Sequence, residues 1–89
     1  MLSEQEAESQ HRPHPVEISV NDKPVTVEGP RTTGLEIKEA AVAQHVDIQL
    51  DFILSEELPG GRTRIIGDTD TVTVHKGSRF VAIPNDDNS

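Results

Sequence analysis

The chain has 89 residues, a formal net charge of −8 and 33% hydrophobic residues, with two Phe and neither Trp nor Tyr. A chain of this length forms one domain at most, and its core has to be small and mainly aliphatic. Cys is absent, which excludes a disulfide framework, a thiolate zinc site and a cysteine nucleophile. The acidic excess argues against a nucleic-acid partner, because the phosphates would be repelled.

The N-terminal segment, residues 1–14, is polar and predicts a disordered leader. Its two histidines, His11 and His14, have no third ligand nearby in the sequence, so we predict no metal site. No apolar run approaches the roughly 20 residues of a membrane span, and the segment lacks the layout of a signal peptide. We therefore expect a cytoplasmic protein without a membrane partner.

Two strands follow the leader. Val16, Ile18 and Val20 alternate with polar residues, and the stretch PVTVEG repeats the alternation with Val25 and Val27 on the inward side. The polar residues 21–23 between the two runs favour a turn, so the sequence predicts a β-hairpin.

One helix is predicted over residues 34–46, in the stretch GLEIKEAAVAQHV. Thr32 or Thr33 can cap it, and a Thr33 cap places Glu36 where a capping box needs it. Ile37 and Ala41 lie four residues apart and share one face, which the small alanines allow to pack closely on a sheet.

The second half of the chain predicts three more strands. They are LDFILSEE (50–57), RTRIIG (62–67) and RFVAIP (79–84), with LPGG as the first turn and GDTDTVTVHKGS as an irregular loop pinned by Val72 and Val74. Phe80 and Ala82 are expected to face the core. The order of elements predicts an α+β domain over residues 15–84, a mixed sheet of four to five strands packed on one helix.

This order of elements resembles the ubiquitin-like β-grasp fold, and in detail the bacterial ubiquitin-like proteins of the multiubiquitin-domain type. The resemblance is carried by ISVND and the second strand, by the helix start TGLEIKEAA, by DFIL, and by the ending KGSRFVAIP. It covers residues 15–84. Some relatives carry tandem copies, whereas this chain has one. The resemblance implies a protein modifier in a bacterial conjugation system with a role in defence against phage.

By the same resemblance, the short tail of residues 85–89 is the reactive end. Its carboxylate would be activated with ATP by an adenylating enzyme and passed to a conjugating-type enzyme, and its target is unknown. Asn88 and Ser89 stand where ubiquitin has Gly-Gly, preceded by Asp86 and Asp87. A processing peptidase could remove Ser89 and expose Asn88. Pro84 stops strand pairing and the polar residues after it cannot pack, so the tail is expected to be extended and flexible.

Three other expectations concern side chains within the domain. Ile53, Val81 and Ile83 are expected to meet on the exposed sheet face as a patch for partner binding, since that face of ubiquitin is read by partners. Lys23, Lys38 and Lys76 are interpreted as solubilising charge. We predict no enzyme activity and no bound cofactor, because the chain shows no set of nucleophile, base and orienting group.

A second reading belongs to a different class of protein. The chain could be a non-conjugated β-grasp interaction module that docks a partner through the exposed sheet face and carries an inert tail. Loss of the tail would inactivate a modifier. A docking module would survive that loss and would fail on charge substitution at Ile53.

Overall fold

The computed structural model describes residues 13–85 and contains seven strands and one helix. The strands are β1 (His14–Val20), β2 (Lys23–Gly29), β3 (Arg31–Thr33), β4 (Ile53–Glu57), β5 (Thr63–Ile66), β6 (Thr71–Thr73) and β7 (Arg79–Ile83), and the helix is α1 (Gly34–Ala43). A single 3-10 turn, Pro59–Gly61, joins β4 and β5.

The main sheet has five strands in the order β2-β1-β7-β4-β5. The β1 and β7 strands run parallel in its centre, and the other neighbours are antiparallel. The helix lies against one face of this sheet, with Ile37 and Ala41 fully buried. The predicted α+β ubiquitin-like β-grasp fold is therefore confirmed.

The hydrophobic core is aliphatic except for Phe80, as the composition requires. Its buried members are Val16, Ile18, Val20, Val25, Val27, Ile37, Ala41, Val46, Ile48, Leu54, Ile66, Val72, Val74, Phe80 and Ala82. The core residues that lie on β1, β2 and β7 point inward, as the predicted alternation requires.

The capping box at the start of α1 forms with Thr33 as the N-cap. Glu36 N–H donates to Thr33 Oγ1 at 3.2 Å, and Glu36 Oε1 accepts from Thr33 N–H at 3.0 Å. The Thr32 hydroxyl also donates to Glu36 Oε1 at 3.0 Å. These hydrogen bonds, the one from the Thr33 backbone first, hold the pKa of the Glu36 carboxyl below its ordinary value.

The helix ends at Ala43, three residues before the predicted end. His45 takes a left-handed conformation (φ 73°), its N–H donates to Val42 O, and Val46 N–H donates to Ala41 O. This pair of hydrogen bonds is a Schellman motif, in which the chain turns back and buries an apolar residue against the last helical turn. Val46 is that residue, so it joins the core from outside the helix.

Two further predictions about the elements are wrong. Residues 50–52 do not belong to β4, because Phe52 N–H donates to Gln49 O in a turn, and Leu50 is 45% exposed. The segment 67–78 is not wholly irregular, because β6 pairs with β3 as a separate two-stranded sheet. Val72 and Val74 are buried there, as predicted.

Lys38 is not a solubilising surface charge. Its side chain is 5% exposed, and Nζ lies 2.7 Å from Asp68 Oδ1 and donates to Phe52 O at 2.8 Å. It ties the helix to the segments before β4 and after β5. Within residues 13–85 no helix is both long and apolar enough to cross a membrane.

Candidate functional site

The sheet face opposite the helix, called here the outer face, brings the three predicted patch residues together. Ile53 on β4 lies directly opposite Ile83 on β7, and Val81 lies opposite Ser55 in the next pair. Leu54 and Ala82, between them in sequence, point to the core. Ile53 and Val81 are half-buried and Ile83 is 51% exposed. Partner binding by these residues stays a prediction.

Ile65 is a fourth aliphatic residue on the outer face, and the sequence reading did not find it. It lies opposite Ser55, so Val81, Ser55 and Ile65 form one row across β7, β4 and β5. Its side chain is 70% exposed, the most exposed of the large hydrophobic side chains in the described part of the chain. We call Ile53, Ile65, Val81 and Ile83 the apolar patch.

A charged group closes one end of the apolar patch. Arg79 on β7 donates from Nε to Glu57 Oε1 at 2.9 Å and from Nη2 to Asp22 Oδ1 at 3.1 Å. These acceptors, Glu57 first, raise the pKa of the Arg79 guanidinium. Both ion pairs lie at the surface, where such pairs contribute little to stability. They give the apolar patch a polar rim at this end, and an apolar surface with a polar rim is the usual layout of an interface.

The strand that leads to the tail is fixed along its whole length. It lies between β1 and β4, and the Asn21 side chain hydrogen-bonds both main-chain groups of Ala82. Ile83 ends the strand, and Pro84 and Asn85 beyond it are exposed. The proposed conjugation residues Asp86, Asp87, Asn88 and Ser89 lie outside the described residues. The last strand therefore ends at Ile83, a residue of the apolar patch.

Metal-binding clusters and grooves are the other places where a site could lie among residues 13–85. Within this range no group of three or more His, Asp or Glu residues could hold a metal ion. A groove of about 700 Å³ is lined by Pro13, Gly29 and Thr73 among other residues. Its charged residues, Glu28, Arg31 and Glu36, include no nucleophile. His11, one of the two histidines for which we predicted no metal site, lies outside the described residues.

The sequence model of the multiubiquitin family matches residues 16–86. The chain belongs to the multiubiquitin family. The match begins in β1 and ends beyond β7, so it contains the helix, the apolar patch and all of the sheet except His14 and Pro15. No curated protein and no solved structure gives a significant match. Ubiquitin-like domains of this family are typically not enzymes.

Proposed function

We propose that this multiubiquitin-family protein is a modifier of other proteins in a bacterial conjugation system. The observation that supports the proposal best is that the last strand before the tail ends at Ile83, a residue of the apolar patch. An enzyme that binds the apolar patch would also fix the position of residue 84, just before the tail. It could then direct the C-terminal carboxylate into its active site. Membership of a ubiquitin-like family supports the same reading.

The proposed chemistry takes place at the C-terminal carboxylate of Ser89, or of Asn88 after a peptidase removes Ser89. The carboxylate attacks the α-phosphate of ATP, giving an acyl-adenylate and releasing pyrophosphate. A cysteine thiolate of the conjugating-type enzyme then displaces AMP and forms a thioester. Attack by an amine or hydroxyl group of the target releases the thiolate and leaves an amide or an ester.

The tail sets a requirement on the activating enzyme. Asn88 and Ser89 carry side chains where glycines would allow a narrow channel, and Asp86 and Asp87 before them carry negative charge. The channel therefore has to be wider than one that accepts Gly-Gly, and lined by basic groups that pair with two carboxylates. A role in defence against phage is part of the proposal, and loss of protection in cells that carry a tail-deleted chain would test it.

An assay with ATP and the adenylating and conjugating-type enzymes tests the reaction. Deletion of residues 86–89 should abolish the thioester seen on a non-reducing gel. Ile83→Asp should weaken transfer by about tenfold or more, since it puts a charge into the apolar patch. Val42→Asp is the matched control, because Val42 is 42% exposed on the helix, away from the patch. Transfer by the tail-deleted chain would refute the proposal.

A non-conjugated docking module remains the second candidate. Convergence of four aliphatic side chains on one sheet face favours it, because a contiguous apolar surface with a polar rim marks an interaction site. In this case a partner captured by the native chain would still be captured after deletion of residues 86–89. Charge substitution at Ile53 or Ile83 would release it.

A further inference from the structure

The two edges of the main sheet differ in their protection. At the β2 edge, the Gln44 side chain hydrogen-bonds both main-chain groups of Thr26. Its Oε1 accepts from Thr26 N–H at 2.9 Å, and its Nε2 donates to Thr26 O at 2.7 Å. Pro24 precedes it on the same edge and has no N–H. A partner strand cannot pair there without displacing Gln44.

At the β5 edge, the outward main-chain groups can be identified from the hydrogen-bond alternation of antiparallel strands. Leu58 N–H donates to Arg62 O at 2.8 Å, which makes Leu58 and Arg62 a hydrogen-bonded pair. The pairs Glu56–Arg64 and Leu54–Ile66 follow in the same phase. Thr63 and Ile65 therefore direct both N–H and C=O away from β4. Within residues 13–85 no group outside the sheet pairs with them.

The side chains along β5 divide by face. Thr63 and Ile65 lie on the outer face, where Ile65 extends the apolar patch to the sheet edge. Arg62 and Arg64 lie on the other side, and both are exposed. Arg64 Nη2 is 2.6 Å from Glu56 Oε1, and its guanidinium keeps further N–H groups for another acceptor. Two of the eight basic residues of an acidic chain thus stand at this edge.

We propose that the β5 edge binds an extended segment of a partner protein by strand addition, with alternating apolar and acidic side chains. The segment would pair with the main chain of Thr63 and Ile65. Its apolar side chains would cover Ile65 on the outer face, and its carboxylates would meet Arg62 and Arg64 on the other. Main-chain pairing gives affinity in such complexes, and the alternating side chains give specificity. This inference does not depend on conjugation of the tail.

A second copy of this chain is a poorer occupant of the edge. Pairing β5 with β5 would bring the Arg62 and Arg64 side chains of both copies onto one face, and like charges on adjacent strands are destabilising. An acidic segment replaces that repulsion with attraction.

The experiment titrates the full chain, labelled with ¹⁵N, with a short capped peptide of alternating glutamate and valine. Its control is the same peptide with lysine in place of glutamate. We expect the amide shifts of Thr63 and Ile65 to move most, and the glutamate peptide to bind more tightly. Equal affinity for both peptides, or shifts centred on β2, would overturn the proposal. So would concentration-dependent shifts at Thr63 and Ile65 without peptide, which would mean self-pairing.

Thr63→Pro isolates the role of the main chain. It removes the outward N–H and keeps Ile65 and both arginines, and Arg62 (φ −85°, ψ 161°) already has a conformation suited to a following proline. We expect about three- to tenfold weaker binding of the glutamate peptide, the effect of one net hydrogen bond. Thr63→Val, which keeps the N–H, should bind like the native chain. Equal affinity of both variants would overturn strand addition.

Arg62→Glu keeps the test decisive if Thr63→Pro does not fold. Arg62 is exposed, and no ion pair to it is found among the described residues, so its replacement should leave the fold intact. We expect weaker binding of the glutamate peptide and tighter binding of the lysine peptide. An unchanged preference would overturn the assignment of acidic side chains to this face.

Discussion

The side-chain amide of Asn21 makes a hydrogen bond to each main-chain group of Ala82. Nδ2 donates to Ala82 O at 3.0 Å, and Oδ1 accepts from Ala82 N–H at 2.8 Å. Asn21 N–H also donates to Phe80 O at 3.0 Å. The β1 strand has already ended at Val20, so Asn21 prolongs its ladder with β7 to the residue before the strand ends. Asn21 therefore fixes the end of β7, the strand that leads to the tail.

Asn21→Gly should lower the free energy of unfolding by about 1–3 kcal/mol, because the buried main-chain groups of Ala82 lose their partner. Glycine keeps the left-handed turn conformation that Asn21 adopts (φ 52°), so the turn itself is preserved. Asp22→Gly is the matched control, since Asp22 (φ 68°) loses only a surface ion pair with Arg79.

Urea unfolding and amide exchange at Ala82 measure this effect. We expect Asp22→Gly to lie within about 0.5 kcal/mol of the native chain, and Ala82 to exchange faster only in Asn21→Gly. Equal stability and equal exchange in the two variants would show that the Asn21 amide does not hold β7.

Gly34→Ala should destabilise the fold although alanine is the better helix former. A Cβ at residue 34 would overlap the carbonyl oxygen of Gly67, where the start of the helix meets the loop after β5. Neither main chain can shift freely, because Gly34 N–H donates to Asp70 O and Leu35 N–H donates to Asp68 O. We expect a loss of about 1–3 kcal/mol in thermal or urea unfolding.

Gly67→Ala is the comparison for Gly34→Ala. A Cβ at residue 67 would lie 3.1 Å from Asp70 Oδ2, the end of an exposed side chain, so that only its hydrogen bond from Gly67 N–H (2.8 Å) has to adjust. The loss should be clearly smaller. If the two alanine variants were equally stable, the close approach of helix and loop would not explain the glycine at residue 34.

Part of the acid sensitivity of the fold should come from Glu36. Its pKa is lower in the folded chain than its ordinary value of 4.5, because of the hydrogen bonds from the Thr33 backbone and the Thr32 hydroxyl. The ionised carboxylate therefore stabilises the fold above pH 4.5, and that stabilisation is lost as the pH falls through the folded pKa. Glu36→Gln keeps a capping side chain but does not titrate.

The free energy of unfolding in urea, measured at neutral pH and at about pH 3, checks this prediction. Glu36→Gln should lose less stability on acidification than the native chain. Glu39→Gln, on the same helix but without these two hydrogen bonds, should follow the native chain. An equal loss of stability on acidification in all three proteins would show that Glu36 does not contribute to the acid sensitivity.

Lys38 should resist chemical modification in the folded protein. Its amine is held by Phe52 O and Asp68 within a side chain that is 5% exposed. Lys23 and Lys76 are exposed. With an amine-reactive ester and peptide mapping, we expect rapid labelling of Lys23 and Lys76, and labelling of Lys38 only in denaturant. Native labelling of Lys38 as fast as Lys76 would contradict its burial. Chains linked through a lysine of this protein would therefore use Lys23 or Lys76.

The features that could be predicted from the sequence are local ones. The β1–β2 hairpin follows from aliphatic residues that alternate with polar ones on both sides of the polar residues 21–23, and the capping box needs only Thr33 and Glu36. Both signals lie within a few residues of each other, so tertiary packing does not have to be known.

The features that were missed depend on distant neighbours. The β3 and β6 strands have three residues each and pair from far apart in the chain, too short for a pattern. Lys38 is buried because Phe52 and Asp68 meet it from two other segments. Ile65 joins the patch only because β5 borders β4, which the sheet order decides. The phase of β4 and β7, by contrast, followed from their own alternation, and it placed Ile53, Val81 and Ile83 together.

The most direct measurement of the central proposal is mass spectrometry of the C-terminal peptide from the native host. The tagged chain is purified under denaturing conditions and digested with trypsin, which cuts after Arg79 and releases residues 80–89. A modifier should yield branched peptides in which Phe80–Ser89, or Phe80–Asn88 after trimming, is joined to a residue of another protein. Recovery of this peptide only in its free, linear form would contradict the proposed conjugation.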